Sequence, residues 1–178
     1  MTMDLVRRPS HFSATASVRV ASPDDVLSWL CLCECFAGGF SSPLMRAGRL
    51  NGTLFRVHLA LLPSMPGDGV LALTFTSSAR SEPTSLVRVQ RALDRILEAG
   101  EVTPAQWQSA ALRLRTRLDT SDRLPRRSLW HRSPYDARLV DPLSWAARTC
   151  PGHEIYEHPL AALVHELSGH HADVQGRR

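Results

Sequence analysis

The chain of 178 residues is 43% hydrophobic and 6% aromatic, which fits one soluble domain that can bury a core without disulfides or metal ions. Its formal charge of +4 includes 21 arginines and no lysine. The basic residues are not clustered with aromatic ones, so we predict no nucleic-acid partner. No segment approaches the ~20 apolar residues of a membrane span, and MTMDLVRRPSHF lacks the apolar core of a signal peptide, which predicts a cytoplasmic protein without membrane contact.

The first predicted elements are a flexible tail over residues 1–12 and, opening a single domain over 13–178, a strand over 15–20 in which polar and apolar residues alternate. Ser22-Pro23-Asp24-Asp25 then favours a helix start, with an N-cap, a proline at the first position and an acid at the third. The following VLSWLCLCECFA is apolar almost all round, so this helix should be deeply buried. Gly38-Gly39 should end it through a left-handed cap.

A short helix, PLMRAG, and a β-hairpin are predicted next. The hairpin strands are LFRVHLALL, residues 54–62, and GVLALTFTSS, residues 69–78, joined by PSMPGD. The strand near residue 15 must join them for its apolar side to be covered. This part of the chain therefore predicts an antiparallel sheet.

The second half is predicted to be helical. One helix ends at Gly100, and the next begins at the capping box Thr103-Pro104-Ala105-Gln106. Weaker helices are predicted over 121–131 and 136–149, and a last one over 159–170. The apolar stripes of the two stronger helices are Leu86, Val89, Leu93, Ile96 and Leu97, and Trp107, Ala110, Ala111, Leu114 and Leu118. Opposite the first stripe lie Arg88, Arg91, Asp94, Arg95 and Glu98, and the arginines of the second helix, Arg113, Arg115 and Arg117, are interpreted as a solvated face.

This order of strand, helices, hairpin and several helices predicts an α+β domain, an antiparallel sheet with helices packed on one face. Three of the four cysteines lie in CLCEC, residues 31–35. In a helix Cys33 would point away from Cys31 and Cys35, so these side chains are interpreted as small buried hydrophobes rather than as a metal or redox site.

The stretch GHEIYEHPLAALVHELSGHH, residues 152–171, carries five of the eight histidines and raises the question of a zinc site. Neither H-E-x-x-H nor H-x-x-E-H occurs in the chain, because the required partner is one residue out of place from both His153 and His165. One residue turns a helix by about 100°, so this miss separates the ligands. We predict no metal and no other cofactor, and surface pairs of Glu154 with His158 or Glu166 with His170.

ECFAGGFSSPLMRAGRLNGTLFRVHLALL, residues 34–62, resembles a stretch of the pitrilysin-type zinc peptidases, the family of insulin-degrading enzyme and the mitochondrial processing peptidases. The resemblance continues through VLALTFTSS and LVRVQRALDRILEAGEVTPAQWQSAALRLRTRL. Most of residues 15–170 can be laid along one half of such a subunit. The half that it resembles is the second, which binds no metal and contributes an arginine and a tyrosine that hold the substrate backbone.

By this resemblance, Arg49 is the substrate-binding arginine and Phe55 stands where the tyrosine is expected. Phe55 keeps the aromatic face but lacks the hydroxyl that would donate to a peptide carbonyl, whereas Arg49 keeps its fork of donors. The alternative interpretations are a surface ion-pairing residue for Arg49 and core packing for Phe55. The resemblance implies a subunit that has no catalytic residues of its own.

The predicted function is therefore a non-catalytic, peptidase-like subunit that binds a peptide, pairs with itself or with an active zinc-peptidase subunit, and takes part in maturation of a ribosomally made peptide. Two alternatives stay open. One is a stand-alone peptide-tailoring enzyme on a repurposed peptidase fold, with His58 as a candidate acid or base. The other is a small zinc hydrolase that uses the C-terminal histidines.

Overall fold

The computed structural model describes residues 10–49, 54–63, 67–77, 82–121 and 141–176. Within them, three strands and six helices form an α+β domain, as predicted. The strands are β1 (Ser10–Val20), β2 (Leu54–Pro63) and β3 (Gly67–Ser77). The helices are α1 (Pro23–Ala37), α2 (Pro43–Arg49), α3 (Glu82–Ala99), α4 (Pro104–Ser121), α5 (Pro142–Ala146) and α6 (Glu157–Gly176).

The sheet is antiparallel, with the strand order β1-β3-β2. β1 pairs with β3 from Ser10↔Ser77 to Val20↔Gly67, and β2 pairs with the other side of β3. The predicted hairpin and the joining of the N-terminal strand to it are confirmed. β1 begins at Ser10, so residues 10–12 belong to the sheet and not to the predicted tail, whose residues 1–9 lie outside the described part.

One face of the sheet is buried under helices. Alternate residues of each strand point into the core, where α1 and α6 supply much of the cover because their apolar residues face the sheet. α1 is buried as its composition predicts, and the stripes of α3 and α4 face inward. The core residues with no measurable exposure include Leu27, Leu32, Leu71, Leu73, Leu86, Leu93, Leu160, Leu163 and Leu167.

Local capping fixes the starts of two helices, as the sequence predicts. The Ser22 side chain accepts a hydrogen bond from the Asp25 N–H at 3.1 Å. At α4, the Thr103 N–H donates to the Gln106 side chain at 2.9 Å, and the Gln106 N–H donates back to the Thr103 hydroxyl at 3.3 Å. These contacts satisfy backbone donors that a helix start otherwise leaves open.

The predicted left-handed cap at the end of α1 is wrong. Gly38 has φ −81° and ψ −17°, an ordinary right-handed conformation. A Cβ at this position would overlap the Glu34 carboxylate, which folds back over it, and would lie 2.7 Å from the Cα of Glu34, so glycine is favoured here. Gly100, after α3, does have a positive φ of 72° and ends its helix as predicted.

The remaining helix predictions fall partly outside the described residues. The helix predicted over 121–131 lies outside the described residues except for Ser121, which ends α4. The helix predicted over 136–149 contains the shorter α5. The last helix, α6, begins two residues earlier than predicted and extends to Gly176. No described helix combines the length and apolarity that crossing a membrane would require.

Candidate functional site

A cleft of about 1030 Å³ opens between α2, α3 and the connection from α3 to α4. α2 contributes Arg46 and Arg49 to its lining, and α3 contributes the three arginines that follow its polar side. Apolar residues from α1 and α3 line it as well, together with Glu101. We call this site the arginine cleft and define it by Arg46, Arg49, Arg88, Arg91 and Arg95.

Arg49 lies at the last position of α2 with its side chain exposed on the cleft. Its guanidinium carbon stands 3.8 Å from the ring centroid of Phe40, in a cation–π contact. Phe40 is itself 74% exposed, the largest exposure of any bulky apolar residue described. One face of the guanidinium is thus covered by the ring, whereas its N–H donors, which point outward in its plane, remain available to a ligand.

The second residue predicted for substrate binding, Phe55, lies on β2, but its side chain is outside the part that the structure describes. The pairing of β2 with β3 shifts register between Leu54 and Arg56, so the backbone of Phe55 has no Cα partner on β3. Such irregularities are over-represented beside functional sites because they re-aim a side chain. Phe40, which sequence reasoning overlooked, supplies the aromatic contact to Arg49; its position directly after two glycines was the available signal.

Tyr156 closes the cleft on the side of the C-terminal segment and was also missed. Its ring is 1% exposed and packs edge-on against Phe36, with centroids 5.3 Å apart. Its hydroxyl donates to the Gly100 carbonyl at 2.7 Å. The C-terminal segment is thereby bonded to the turn between α3 and α4, which forms one wall of the cleft.

A buried acidic residue, Glu34, adds a role that the predicted solvated face of α4 did not include. Arg115 and Arg117 are exposed as predicted, at 51% and 64%, whereas Arg113 is only 32% exposed. Glu34 is 1% exposed. Arg117 Nη2 lies 2.6 Å from its Oε1, and Arg113 Nε lies 3.7 Å from its Oε2, while Arg113 also donates to the Glu34 carbonyl at 2.9 Å. Arg115 is half exposed and pairs only loosely with Asp141, at 3.9 Å, as a surface residue would.

Burial and the two arginines act on the Glu34 carboxyl in opposite directions. Loss of solvent is the larger effect and raises its pKa above the ordinary 4.5, although Arg117 and then Arg113 pull the pKa down. The ion pairs therefore offset only part of the cost of burying this charge.

The cysteines of α1 pack as predicted. Cys31 and Cys33 are buried and Cys35 is partly so. Desolvation raises the pKa of Cys33 and of Cys35 to about 12, so both are neutral thiols at physiological pH. They contribute apolar volume to the core rather than a nucleophile.

The C-terminal histidines do not converge where the structure describes them. His153 Nδ1 lies 3.5 Å from Glu157 Oε2, so the surface pair forms here and not between Glu154 and His158. Glu166 accepts a hydrogen bond from the Thr15 N–H on β1 at 2.6 Å, which holds α6 against the sheet. The side chain of His170, its predicted partner, lies outside the described residues. Across the described ranges, no group of three histidine, cysteine or acidic side chains has a metal-binding arrangement.

We expect protein purified without chelators and without a polyhistidine tag to contain far less than one zinc ion per chain. The physical reason is the spacing of the histidines, which sends neighbouring candidate ligands to different sides of the segment. Inductively coupled plasma mass spectrometry measures the zinc content. Stoichiometric zinc that disappears in a His153→Ala, His158→Ala double variant would contradict this expectation.

The arrangement of the sheet and helices defines the class of fold: it is the fold of the pitrilysin-type, or M16, peptidase domains, and the similar structures include two domains described as inactive as well as pitrilysin itself. No protein-family profile and no curated protein matches the sequence.

Three solved structures carry this likeness. The peptidase M16 inactive domain from Pseudomonas fluorescens superposes with a TM-score of 0.54 at 18% identity, over 89% of this chain and 39% of that one. An inactive peptidase domain from Bordetella parapertussis gives 0.54 at 11% identity, over 91% of both chains. Pitrilysin gives 0.58 at 12% identity, over 89% of this chain and 18% of that one. The expected α+β half-subunit fold is thus confirmed, and the chain spans well under half of the Pseudomonas protein and of pitrilysin.

Proposed function

We propose that this domain is a non-catalytic, peptidase-like subunit that binds a peptide and pairs with an active zinc-peptidase subunit in the maturation of a ribosomally made peptide. The observation that carries the proposal is its likeness to inactive peptidase domains, together with the lack of both zinc-peptidase motifs in its sequence. Without those motifs, the chain lacks the usual means of generating a zinc-bound nucleophile.

Pairing is supported by the size of the similar proteins. In the Pseudomonas protein and in pitrilysin, this fold is one part of a chain at least twice as long. The broad apolar helix face that a lone half was expected to expose is not found among the described residues. Their exposed bulky apolar side chains are dispersed: Phe40 precedes α2, Leu62 lies on β2, Leu112 on α4 and Ile155 before α6. A partner would therefore meet a largely polar surface, which fits a contact between folded subunits better than an obligate core.

Peptide binding is supported by Arg49 and by the edge of the sheet. In the described part of the chain, β2 forms hydrogen bonds to β3 on one side only, whereas the opposite edge strand, β1, is held by α6 through Thr15. A free edge can accept an extended peptide as an added strand, with backbone hydrogen bonds giving affinity. Arg49, positioned by Phe40, supplies a donor fork that would fix the register of such a peptide.

The test first seeks, among the genes adjacent to this one, a peptidase subunit that bears H-x-x-E-H, and then combines the two chains. We expect light scattering to give the mass of a complex, and peptide cleavage only when both chains are present. Arg49→Ala should lower kcat/KM of the complex roughly 10-fold to 100-fold, the effect of losing one charge-assisted hydrogen bond. Arg49→Lys should restore little, because lysine lacks the planar fork.

Arg115→Ala is the matched control, since Arg115 is an exposed arginine outside the cleft lining. It should leave both assembly and cleavage unchanged. A chain that remains monomeric beside the peptidase would refute the pairing. Cleavage by the isolated chain would refute the non-catalytic role, and its loss on His58→Ala would favour a stand-alone enzyme.

A further inference from the structure

Two rows of arginines meet across the cleft. Arg46 and Arg49 are three residues apart on α2, so both fall on one side of that helix. Arg88, Arg91 and Arg95 occupy positions three and seven residues apart on α3, which also place them on one side. All five line the same cavity, and among the described residues Glu101 is the one acidic side chain in its lining.

This charge is concentrated well beyond the average of the chain. The whole protein carries a formal charge of +4, and the lining of this one cavity accounts for five positive charges and one negative. Clefts with walls of low polarity focus the field of such charges and raise the local concentration of a ligand of opposite sign. The ligand that this cleft favours is therefore an anion.

Four of the five arginines have no ion pair with any residue that the structure describes. Within that part of the chain, no ion pair involves Arg46, Arg91 or Arg95, and Arg49 contacts the Phe40 ring. The arginines of α4 show the contrast, because two of them are committed to Glu34. At least four guanidinium groups in the cleft thus keep donors available.

The remainder of the chain does not offer an acidic segment to fill the cleft. Outside the described residues, no stretch has more acidic than basic residues, and the longest of them, 122–140, carries five arginines against two aspartates. Such segments would add positive charge rather than cancel it. These segments therefore do not supply the acidic occupant.

The lining distinguishes a peptide from a nucleic acid. The lining also contains the apolar residues Phe36, Ile96 and Val102, which can receive apolar side chains of a ligand. Nucleic-acid sites instead present open aromatic faces for base stacking. The aromatic residues in this lining, Phe36 and Tyr156, are both buried, and Arg49 covers one face of the exposed Phe40 ring outside it. The cavity is as large as the upper end of small-ligand pockets, roughly 300–1,000 Å³, which allows a short peptide segment.

We propose that the arginine cleft binds an acidic peptide segment, one in which carboxylates alternate with small apolar side chains. This inference rests on the proposed peptide-binding function and names its substrate class. The carboxylates would pair with the two rows of arginines, and the apolar residues would cover the floor between them.

The experiment uses the full chain and three labelled probes in fluorescence anisotropy: a ten-residue peptide with four glutamates, the same peptide with glutamines instead, and an oligo-deoxythymidine. We expect the glutamate peptide to bind at least about 10-fold more tightly than the glutamine peptide, and to weaken as salt rises. An Arg91→Gln, Arg95→Gln double variant should lose about 10-fold in affinity for the glutamate peptide. Both side chains are exposed, so folding should be retained.

The control variant, Arg115→Gln with Arg148→Gln, removes the same charge outside the cleft and should change affinity less than about 2-fold. An equal loss in the control variant would mean that net charge, not the cleft, attracts the peptide, and would overturn the inference. Equal binding of both peptides would also overturn it while leaving peptide binding intact. Binding of neither peptide would refute the inference and the proposed peptide binding together. Tighter binding of the oligonucleotide would identify the cleft as a nucleic-acid site and overturn the inference.

Discussion

Replacing both Arg113 and Arg117 with alanine should lower the free energy of unfolding by about 2 kcal/mol at pH 7, and by much less at pH 4. The two arginines are the cations that contact the buried Glu34 carboxylate, at 3.7 and 2.6 Å. Without them, the carboxyl must either stay charged without a partner or take up a proton. Protonating a group of ordinary pKa 4.5 at pH 7 costs about 3 kcal/mol, which sets a ceiling on the electrostatic loss.

The sign of the pH dependence follows from the raised pKa of Glu34. The folded state holds this proton more tightly than the unfolded chain, so its contribution to stability is complete below pH 4.5 and is lost as the pH rises through the folded-state pKa. Because the arginines lower the pKa of Glu34, that pKa is higher in the double variant. The free energy of unfolding of the variant therefore continues to fall as the pH rises over a wider range.

Urea unfolding at several pH values measures the difference, and Arg115→Ala, which removes a surface pair, should cost less than about 0.5 kcal/mol throughout. A double variant that is destabilised equally at pH 4 and pH 7 would show that packing of the arginine stems, and not charge, is what matters.

Much of the fold was predictable because its signals are local. The N-cap at Ser22, the capping box at Thr103 and the left-handed Gly100 each depend on residues within one turn. The hairpin and the buried faces follow from alternation and from helical periodicity. These predictions needed no knowledge of how the elements pack together.

The sequence-based predictions failed where the structure depends on contacts between residues that are far apart in the chain. Periodicity placed Arg113 and Arg117 on a solvated face and could not show that both contact the buried Glu34 carboxylate. For Arg113, that residue lies 79 positions earlier in the chain. The same carboxylate explains Gly38. Both observations depend on α4 packing against α1, which local pattern does not specify.

The candidate site was predictable only in part, for the same reason. Arg49 was found through resemblance, and it does line the cleft. Arg88, Arg91 and Arg95 were assigned correctly to the polar side of α3, but a solvated face and a cleft wall have the same sequence pattern. The packing of α2 against α3 distinguishes a cleft wall from a solvated face, because it brings Arg46 and Arg49 opposite the arginines of α3.

Tyr156→Ala should lower the free energy of unfolding by about 3–5 kcal/mol, the range expected when a buried aromatic side chain is truncated. The ring is 1% exposed, meets Phe36 and His153 edge-on at 5.3 and 5.1 Å, and leaves a cavity when removed. The truncation also leaves the Gly100 carbonyl without its hydroxyl donor. Thermal and urea unfolding, followed by circular dichroism, measure the loss.

Tyr156→Phe separates the two contributions, since it keeps the ring and removes only the hydrogen bond. We expect it to cost about 1 kcal/mol, the usual net value of one such bond. Ile155→Ala, at the adjacent position with a 38% exposed side chain, is the matched control and should cost less than about 0.5 kcal/mol. If Ile155→Ala were as destabilising as Tyr156→Ala, the whole segment before α6 would be responsible, and Tyr156 would not be the residue that ties it to the turn at Gly100. If instead Tyr156→Ala is the more destabilising, the wall of the arginine cleft depends on this one tyrosine. Tyr156→Phe, which loosens the wall, should then weaken binding of the glutamate peptide although both rows of arginines stay in place.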